Sequence, residues 1–151
     1  MRSDGVGPLE RARVVIGSIG DDIHVVGITI LAHALRGNGA EVIQLGIQTS
    51  AEEFIAAALA EDADAVFVSS SNGHAAIFCP AIKPGLVAAG ADDILLYAGG
   101  NLAVSAAADW AQTEQTFLAM GFDRVYPANT TPDTAMRDLA LDVQARRETL
   151  S

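Results

Sequence analysis

Cysteine and basic residues are scarce in this sequence. Cys79 is the single cysteine among 151 residues, so no disulfide can form within the chain, as is typical of proteins kept in a reducing compartment. Lysine and arginine number 9 against 19 aspartates and glutamates, which gives a formal net charge of −10. This charge argues against the clustered cationic surface that nucleic acids and anionic membranes require. We therefore expect a cytoplasmic protein that binds neither nucleic acid nor membrane.

Long apolar runs are also missing. The opening segment "MRSDGVGPLERAR" has no apolar stretch of the kind found in secretory signals, and no later run reaches membrane-spanning length without charge or glycine. Aromatic residues make up 5% of the chain whereas 50% of it is hydrophobic, a composition typical of α/β proteins rich in Ala, Val, Leu and Ile. The length suits one domain, predicted over residues 12–151, after a flexible N-terminal segment at 1–11.

Short apolar runs alternate with helical patterns along the whole chain. Strands that alternate with helices predict a parallel sheet covered on both faces. With right-handed crossovers, five such strands predict a doubly wound, flavodoxin-like (Rossmann-like) α/β fold with strand order 2-1-3-4-5. The Rossmann order is disfavoured because the first turn lacks GxGxxG. The predicted strands are Arg13–Ile19, Glu41–Gly46, Ala65–Ser71, Ile94–Gly99 and Arg124–Tyr126.

Local signals predict where the helices begin and bend. Ser50 and Glu53 have the spacing of a capping box, and Thr131 followed by Pro132 predicts the N-cap and first residue of the closing helix. Two prolines in the helix after the third strand predict a late start or a kink there. These prolines are Pro80 and Pro84, and the predicted apolar stripe of the first helix is Val26, Ile30, Leu31 and Leu35.

Three turns of unusual composition follow the first, third and fourth strands: "GSIGDDIHVVG", "SSSNGHA" and "AGGN". In doubly wound sheets the ligand binds beyond the carboxyl ends of the strands, at the switch point between strands one and three. A histidine can bind a metal while its second ring nitrogen donates to a carboxylate, as His24 and Asp22 could. These two residues are too few for a zinc site, and on their own an N-capping Asp22 with an incidental His24 is the favoured interpretation.

The serines of the second turn could equally cap a helix, and the paired glycines of the third could serve only the turn. Each signal is therefore weak when it is taken alone. On three adjacent strand ends of one parallel sheet, however, they predict a long slot with a metal-binding histidine at its mouth.

These residues carry a resemblance to a known family. "DIHVVG" matches the DxHxxG signature of cobalamin-binding domains, with Asp22, His24 and Gly27 in register. From about Val14 to about Leu139 the chain resembles the small, cobalamin-binding (sigma) subunit of adenosylcobalamin-dependent glutamate mutase. The similarity includes "GSIGDDIHVVGITIL", "DAVFVSSSNG", "ILLYAGGN" and "MGFDRVY".

The resemblance implies that His24 is the axial ligand of cobalt, in place of the cofactor's own dimethylbenzimidazole, and that Asp22 hydrogen-bonds its other nitrogen. The corrin ring would supply the four equatorial ligands, and the displaced nucleotide tail would enter the slot between strands one and three. Ser71 stands where the SxL motif of the family has leucine. The implied cofactor-binding residues are Ser18, Asp22, His24, Gly27, Ser69, Ser70, Ser71, Gly99 and Gly100.

The implied function is that of an isomerase subunit which is not catalytic alone. It would bind adenosylcobalamin and present it to a larger catalytic TIM-barrel subunit, in a heterotetramer that interconverts L-glutamate and L-threo-3-methylaspartate. Alternatives are a corrinoid methyl carrier and the cobalamin module of a different mutase. A regulatory module or a flavodoxin-like signalling domain fits less well, because the former needs a DNA-binding domain and the latter leaves His24 without a role.

Overall fold

The computed structural model describes residues 11–19, 26–70, 75–100, 102, 109–127 and 130–150. Within these ranges the chain alternates between strands and helices, as predicted. The strands are β1 (Arg13–Ile19), β2 (Glu41–Thr49), β3 (Ala65–Ser70), β4 (Leu95–Gly100) and β5 (Arg124–Tyr126). The helices are α1 (Val26–Gly37), α2 (Ala51–Ala60), α3 (Ala75–Phe78), α4 (Ile82–Ala88), α5 (Trp110–Ala119) and α6 (Pro132–Leu150).

The five strands form one parallel sheet in the order β2-β1-β3-β4-β5. The predicted fold class and strand order are therefore confirmed. Helices α1 and α6 cover one face of the sheet, and α2, α4 and α5 cover the other. Across the ranges described, no helix is long and apolar enough to cross a membrane.

Alternate residues of each strand supply two separate cores. Val14 and Ile16 of β1 pack toward α1 and α6, whereas Val15 and Ile19 pack toward the opposite helices.

Cys79 belongs to the core beneath α2, α4 and α5 and is fully buried, and this burial raises the pKa of its thiol to about 12. As predicted, the thiol is a buried apolar group.

The predicted capping box, the start of the closing helix at Pro132 and the break at the two prolines are confirmed. The Ser50 hydroxyl accepts a hydrogen bond from the Glu53 amide at 3.1 Å, and the Glu53 carboxylate accepts one from the Ser50 amide at 3.0 Å. Pro132 begins α6, and the Thr134 amide donates to the Thr131 carbonyl at 3.2 Å. The proline-containing helix is broken into α3, a 3-10 turn at Cys79–Ala81 and α4.

The inward face of α1 differs from the prediction. Ile30 was predicted to lie in the apolar stripe, but its side chain is 52% exposed. The buried positions are Ile28, Leu31, Ala32 and Leu35, which have the i, i+3, i+4, i+7 spacing of a single helix face. Ile30 is two residues from Ile28 and therefore lies on another side of the helix.

Strand β2 is longer than predicted because Gly46 does not end it. Gly46 has φ +88° and Gln48 has φ +53°, and the register with β1 shifts at these points. A residue with positive φ can produce a bulge rather than a strand end, and pairing then resumes with Ile19 opposite Thr49.

Candidate functional site

A cavity of about 260 Å³ opens at the carboxyl end of the sheet, on the face covered by α1 and α6. The strands form its floor, and the first turns of the two helices form its sides. The position agrees with the slot that the turn composition predicts. Its lining residues in the described part of the chain are Ile16, Ile28, Ile30, Leu31, Phe67, Ser69, Gly99, Gly100, Tyr126, Pro127, Thr130, Thr131, Pro132 and Ala135.

The cavity exists because side-chain size changes sharply between two neighbouring rows of the sheet. One row pairs Ile16 with Phe67 and Phe67 with Tyr97, so large side chains fill the space below the helices. Two residues further along β1, β3 and β4, on the same face, the next row is small, and Tyr126 of β5 closes it at the edge of the sheet. It pairs Ser18 with Ser69, Ser69 with Gly99 and Gly99 with Tyr126.

The two adjacent glycines serve different purposes. A Cβ on Gly99 would lie 3.3 Å from the Phe67 ring and 3.6 Å from Cβ of Tyr126, so glycine here keeps the cavity floor low. Gly100 has φ +102°, and a Cβ on it would lie 2.1 Å from the carbonyl oxygen of Ser70. Glycine at 100 is therefore required by the backbone itself.

The predicted serines separate between the two faces of the sheet. Ser69 is half-buried and lines the cavity. Ser18 shares its row and is fully buried. Ser70 is 1% exposed and lies on the opposite face, paired with Gly100. The structure thus brings Ser69, Gly99 and Gly100 together around the cavity.

Of the three fixed residues of the DxHxxG motif, the structure describes only Gly27. Gly27 is the second residue of α1 and lies in the first turn of that helix. Asp22, His24 and Ser71 lie outside the described residues. Residues 20–25 connect Ile19 at the carboxyl end of β1 to Val26, the first residue of α1.

The rings of Phe67 and Tyr126 form an aromatic wall of the cavity, with the fully buried Tyr97 in contact with both, and none of the three was predicted as a site residue. The rings of Phe67 and Tyr126 stack with centroids 6.1 Å apart and planes 6° from parallel. Tyr97 meets both rings edge-on, at 6.0 Å and 6.3 Å. In a chain with 5% aromatic residues, one aromatic on each of three neighbouring strands was the signal that could have revealed this wall.

No charged side chain is among the described residues that line the cavity. The polar groups there are hydroxyls of serine, threonine and tyrosine. Burial, followed by the hydrogen bond to Asp138, raises the pKa of Tyr126 well above its ordinary value, so its phenol stays neutral at physiological pH. The cavity thus offers a neutral, partly aromatic surface with hydroxyl groups at its edge.

Comparison with known proteins identifies the family. The model of the B12 binding domain matches residues 12–132. The glutamate mutase sigma subunit of Carboxydothermus hydrogenoformans is 46% identical over 135 residues, which are 89% of this chain and 98% of that protein. The chain belongs to the glutamate mutase sigma-subunit family. The resemblance noted in the sequence is therefore confirmed.

A second sigma-subunit relative agrees over nearly the same length. Glutamate mutase sigma subunit 1 of Haloarcula marismortui is 51% identical over 131 residues, which are 87% of this chain and 85% of that protein. Among solved structures, the methanol:cobalamin methyltransferase complex of Methanosarcina barkeri matches with a TM-score of 0.64 at 22% identity. That match covers 92% of this chain and 49% of the other, and it supports the fold alone.

Proposed function

We propose that this chain is the cobalamin-binding subunit of an adenosylcobalamin-dependent carbon-skeleton mutase that interconverts L-glutamate and L-threo-3-methylaspartate. The identity of 46% to a sigma subunit across 98% of that protein supports this assignment. The chain is an isomerase subunit and is not catalytic alone. It acts in a complex with a catalytic subunit, for which we propose a TIM barrel and a heterotetrameric assembly.

The cavity is the structural observation that carries the proposal, because it fits one end of a cobalamin. Its volume of about 260 Å³ lies just below the roughly 300–1,000 Å³ of whole small-molecule sites. That size suits a single flat aromatic base rather than a complete nucleotide. The stacked rings of Phe67 and Tyr126 offer apolar contacts to such a base. The hydroxyls of Ser69, Thr130 and Thr131 offer hydrogen bonds to the polar groups of the nucleotide tail beside the base.

We propose that His24 would hold the cobalt in place of the cofactor's own dimethylbenzimidazole. Asp22 would accept a hydrogen bond from the other ring nitrogen, which fixes the tautomer and raises the basicity of the ligand. The displaced base would then need a separate place, for which we propose the cavity beside β1, β3 and β4. When bound, adenosylcobalamin supplies a cobalt–carbon bond whose homolysis starts radical chemistry. Ser18, Gly27 and Ser71 are the other positions implied by the resemblance that would support the tail, whereas Ser70 lies on the opposite face of the sheet.

An electron paramagnetic resonance spectrum of the reduced Co(II) complex tests the axial ligand directly. The full chain is labelled uniformly with nitrogen-15 and loaded with unlabelled cobalamin. A doublet splitting of each cobalt line is expected, because the axial nitrogen then comes from the protein. Unlabelled protein with the same cobalamin is the control and should give triplets.

Triplets in the labelled sample would show that the cofactor has kept its own base, and the His24 assignment would then be wrong.

The reaction is tested separately by mixing the loaded chain with the catalytic mutase subunit and measuring methylaspartate formation from glutamate. A complex that instead transfers a methyl group from the corrinoid would favour the methyl-carrier alternative.

A further inference from the structure

Two tyrosines on neighbouring strands donate hydrogen bonds to the same helix. The hydroxyl of Tyr97 on β4 donates to Asp142 of α6. The hydroxyl of Tyr126 on β5 donates to Asp138 of α6 at 2.8 Å. Because residues four apart on a helix are neighbours on its surface, the two carboxylates face the sheet side by side.

A single arginine links the two tyrosine–aspartate pairs. The guanidinium of Arg124 donates to both oxygens of Asp142, at 2.7 Å and 3.0 Å, and lies 3.5 Å from Asp138. Burial alone would raise the pKa of Asp142, but hydrogen bonds from Arg124 and Tyr97 lower it below its ordinary value. Both carboxylates therefore have cationic and hydroxyl partners, and α6 is held on the edge of the sheet by a charged network.

The two pairs differ in their relation to the cavity. Tyr126 lines it, whereas Tyr97 is not among its lining residues. Pro132 and Ala135, in the first turn of α6, also line it. Asp138 lies one turn beyond Ala135, so the hydrogen bond from Tyr126 joins the strand wall of the cavity to its helix wall.

We propose that the Tyr126–Asp138 hydrogen bond sets the spacing of these two walls and that Tyr126 is thereby a positioning residue for the nucleotide tail of cobalamin. This inference rests on the proposed function, since it assumes that cobalamin enters the cavity. The donor hydroxyl is already bonded to Asp138, so the tail meets the ring of Tyr126 rather than a free phenol. Loss of the hydroxyl leaves the ring in place but frees it from the helix.

The test compares Tyr126→Phe with Tyr97→Phe in the full chain. Each variant removes one hydroxyl that donates to an aspartate of α6, so the two should lose similar stability in thermal unfolding. Binding is measured by absorbance titration with cobalamin and with cobinamide, which lacks the nucleotide tail. Tyr126→Phe should raise the Kd for cobalamin about 3- to 10-fold, the range expected for one lost hydrogen bond, and leave the Kd for cobinamide unchanged. Tyr97→Phe should change neither Kd.

The remaining outcomes overturn the inference. If both variants weaken cobalamin binding equally, the network has only a structural role. If Tyr126→Phe binds cobalamin as the wild type does, or loses cobinamide affinity to the same extent, Tyr126 does not position the tail. A wild-type chain that binds no cobalamin would instead reject the proposed function, and this inference would fall with it.

Discussion

The two ends of the sheet are built from different chemistry. At the carboxyl end, the described side chains that surround the cavity between α1 and α6 are all neutral. At the amino end, charged side chains close the same helix onto the sheet. Arg146 of α6 lies 2.6 Å from a carboxylate oxygen of Asp64 and 3.0 Å from one of Asp93, and its side chain is only 12% exposed. Asp64 also accepts a hydrogen bond from the Arg13 amide at 2.9 Å.

This difference indicates that the two ends of α6 have different roles. Opposite charges near the beginning of β3 and β4 stabilise the position of α6, and the open space at the other end remains available for a ligand. A site that keeps space for a ligand gives up packing contacts, so the stability must come from elsewhere in the molecule. Substitutions at the two ends should therefore separate binding from stability.

The largest effect is expected at the carboxyl end from His24→Ala. Loss of a metal ligand should weaken cobalamin binding by more than about 100-fold, since loss of a group that only orients a ligand costs roughly 10- to 100-fold. The thermal unfolding midpoint without cofactor should stay the same, because His24 lies between β1 and α1 in the sequence. A titration of the full chain checks the first effect, and circular dichroism checks the second. If this variant binds cobalamin with wild-type affinity, His24 is not a ligand of the cobalt.

At the amino end the expected pattern is reversed, and Arg146→Met tests it. The substitution leaves Asp64, whose side chain is 13% exposed, without its shortest ion pair. The free energy of unfolding should fall by about 2 kcal/mol, between the values for exposed and buried pairs, while cobalamin affinity is unchanged. Arg147→Met is the matched control, because Arg147 is 44% exposed and 3.7 Å from Asp64, and it should cost less than about 0.5 kcal/mol. Equal losses in the two variants, measured by urea unfolding, would contradict the ranking.

A smaller effect on binding should come from the floor of the cavity. Gly99→Ala adds a Cβ 3.3 Å from the Phe67 ring, which narrows the space at the carboxyl end. Because the added methyl group occupies space that we propose for the base, we expect it to cost about 1–1.5 kcal/mol of binding free energy, at the low end of overpacking costs, so cobalamin affinity should fall by about tenfold. Gly37→Ala at the end of α1 is the control, since its Cβ would meet nothing within 4 Å. If the two variants bind cobalamin equally well, the cavity floor does not contact the cofactor.

The smallest effect is expected on the free energy of unfolding at acidic pH. The pKa of Asp142 is lowered in the folded chain, so its contribution to stability is complete above the ordinary aspartate value of about 4 and is lost as the pH falls through the lowered value. The free energy of unfolding should thus decrease below pH ~4, and Asp142→Asn should make that decrease shallower. Urea unfolding at several pH values checks this. Identical slopes for the two proteins would show that Arg124 and Tyr97 do not stabilise the charged form.

Much of the fold could be predicted because the pattern of each segment agrees with its final environment. β1 and β5 have the bounds predicted from the sequence, and Ser50 caps α2 as its spacing with Glu53 indicates. Strand β2 was predicted too short because Gly46 looks like a terminator, whereas in the sheet it forms a bulge. Ile30 was wrongly assigned to the buried face of α1, because the sequence does not distinguish an isoleucine that borders an open cavity from one that is buried in the core.

The site was predictable only in part, for a related reason. Glycines and serines at strand ends are visible in the sequence, and Gly99, Gly100 and Ser69 do meet at the cavity. The wall formed by Phe67 and Tyr126 depends on the cross-strand register, which places residues 59 positions apart in the chain in one stack. No local pattern reports that pairing.

The length of α6 has a practical consequence for experiments on this protein. The helix rises about 1.5 Å per residue, so the exposed Glu148 lies about 24 Å along the axis from Pro132 at the cavity. A fluorophore or a surface linker attached at Glu148 would therefore be far from the ligand, on the side of the molecule that faces away from the corrin in our proposal. Immobilisation through this position leaves the carboxyl end of the sheet open to solution, so cofactor and catalytic subunit can be added to the same sensor in turn.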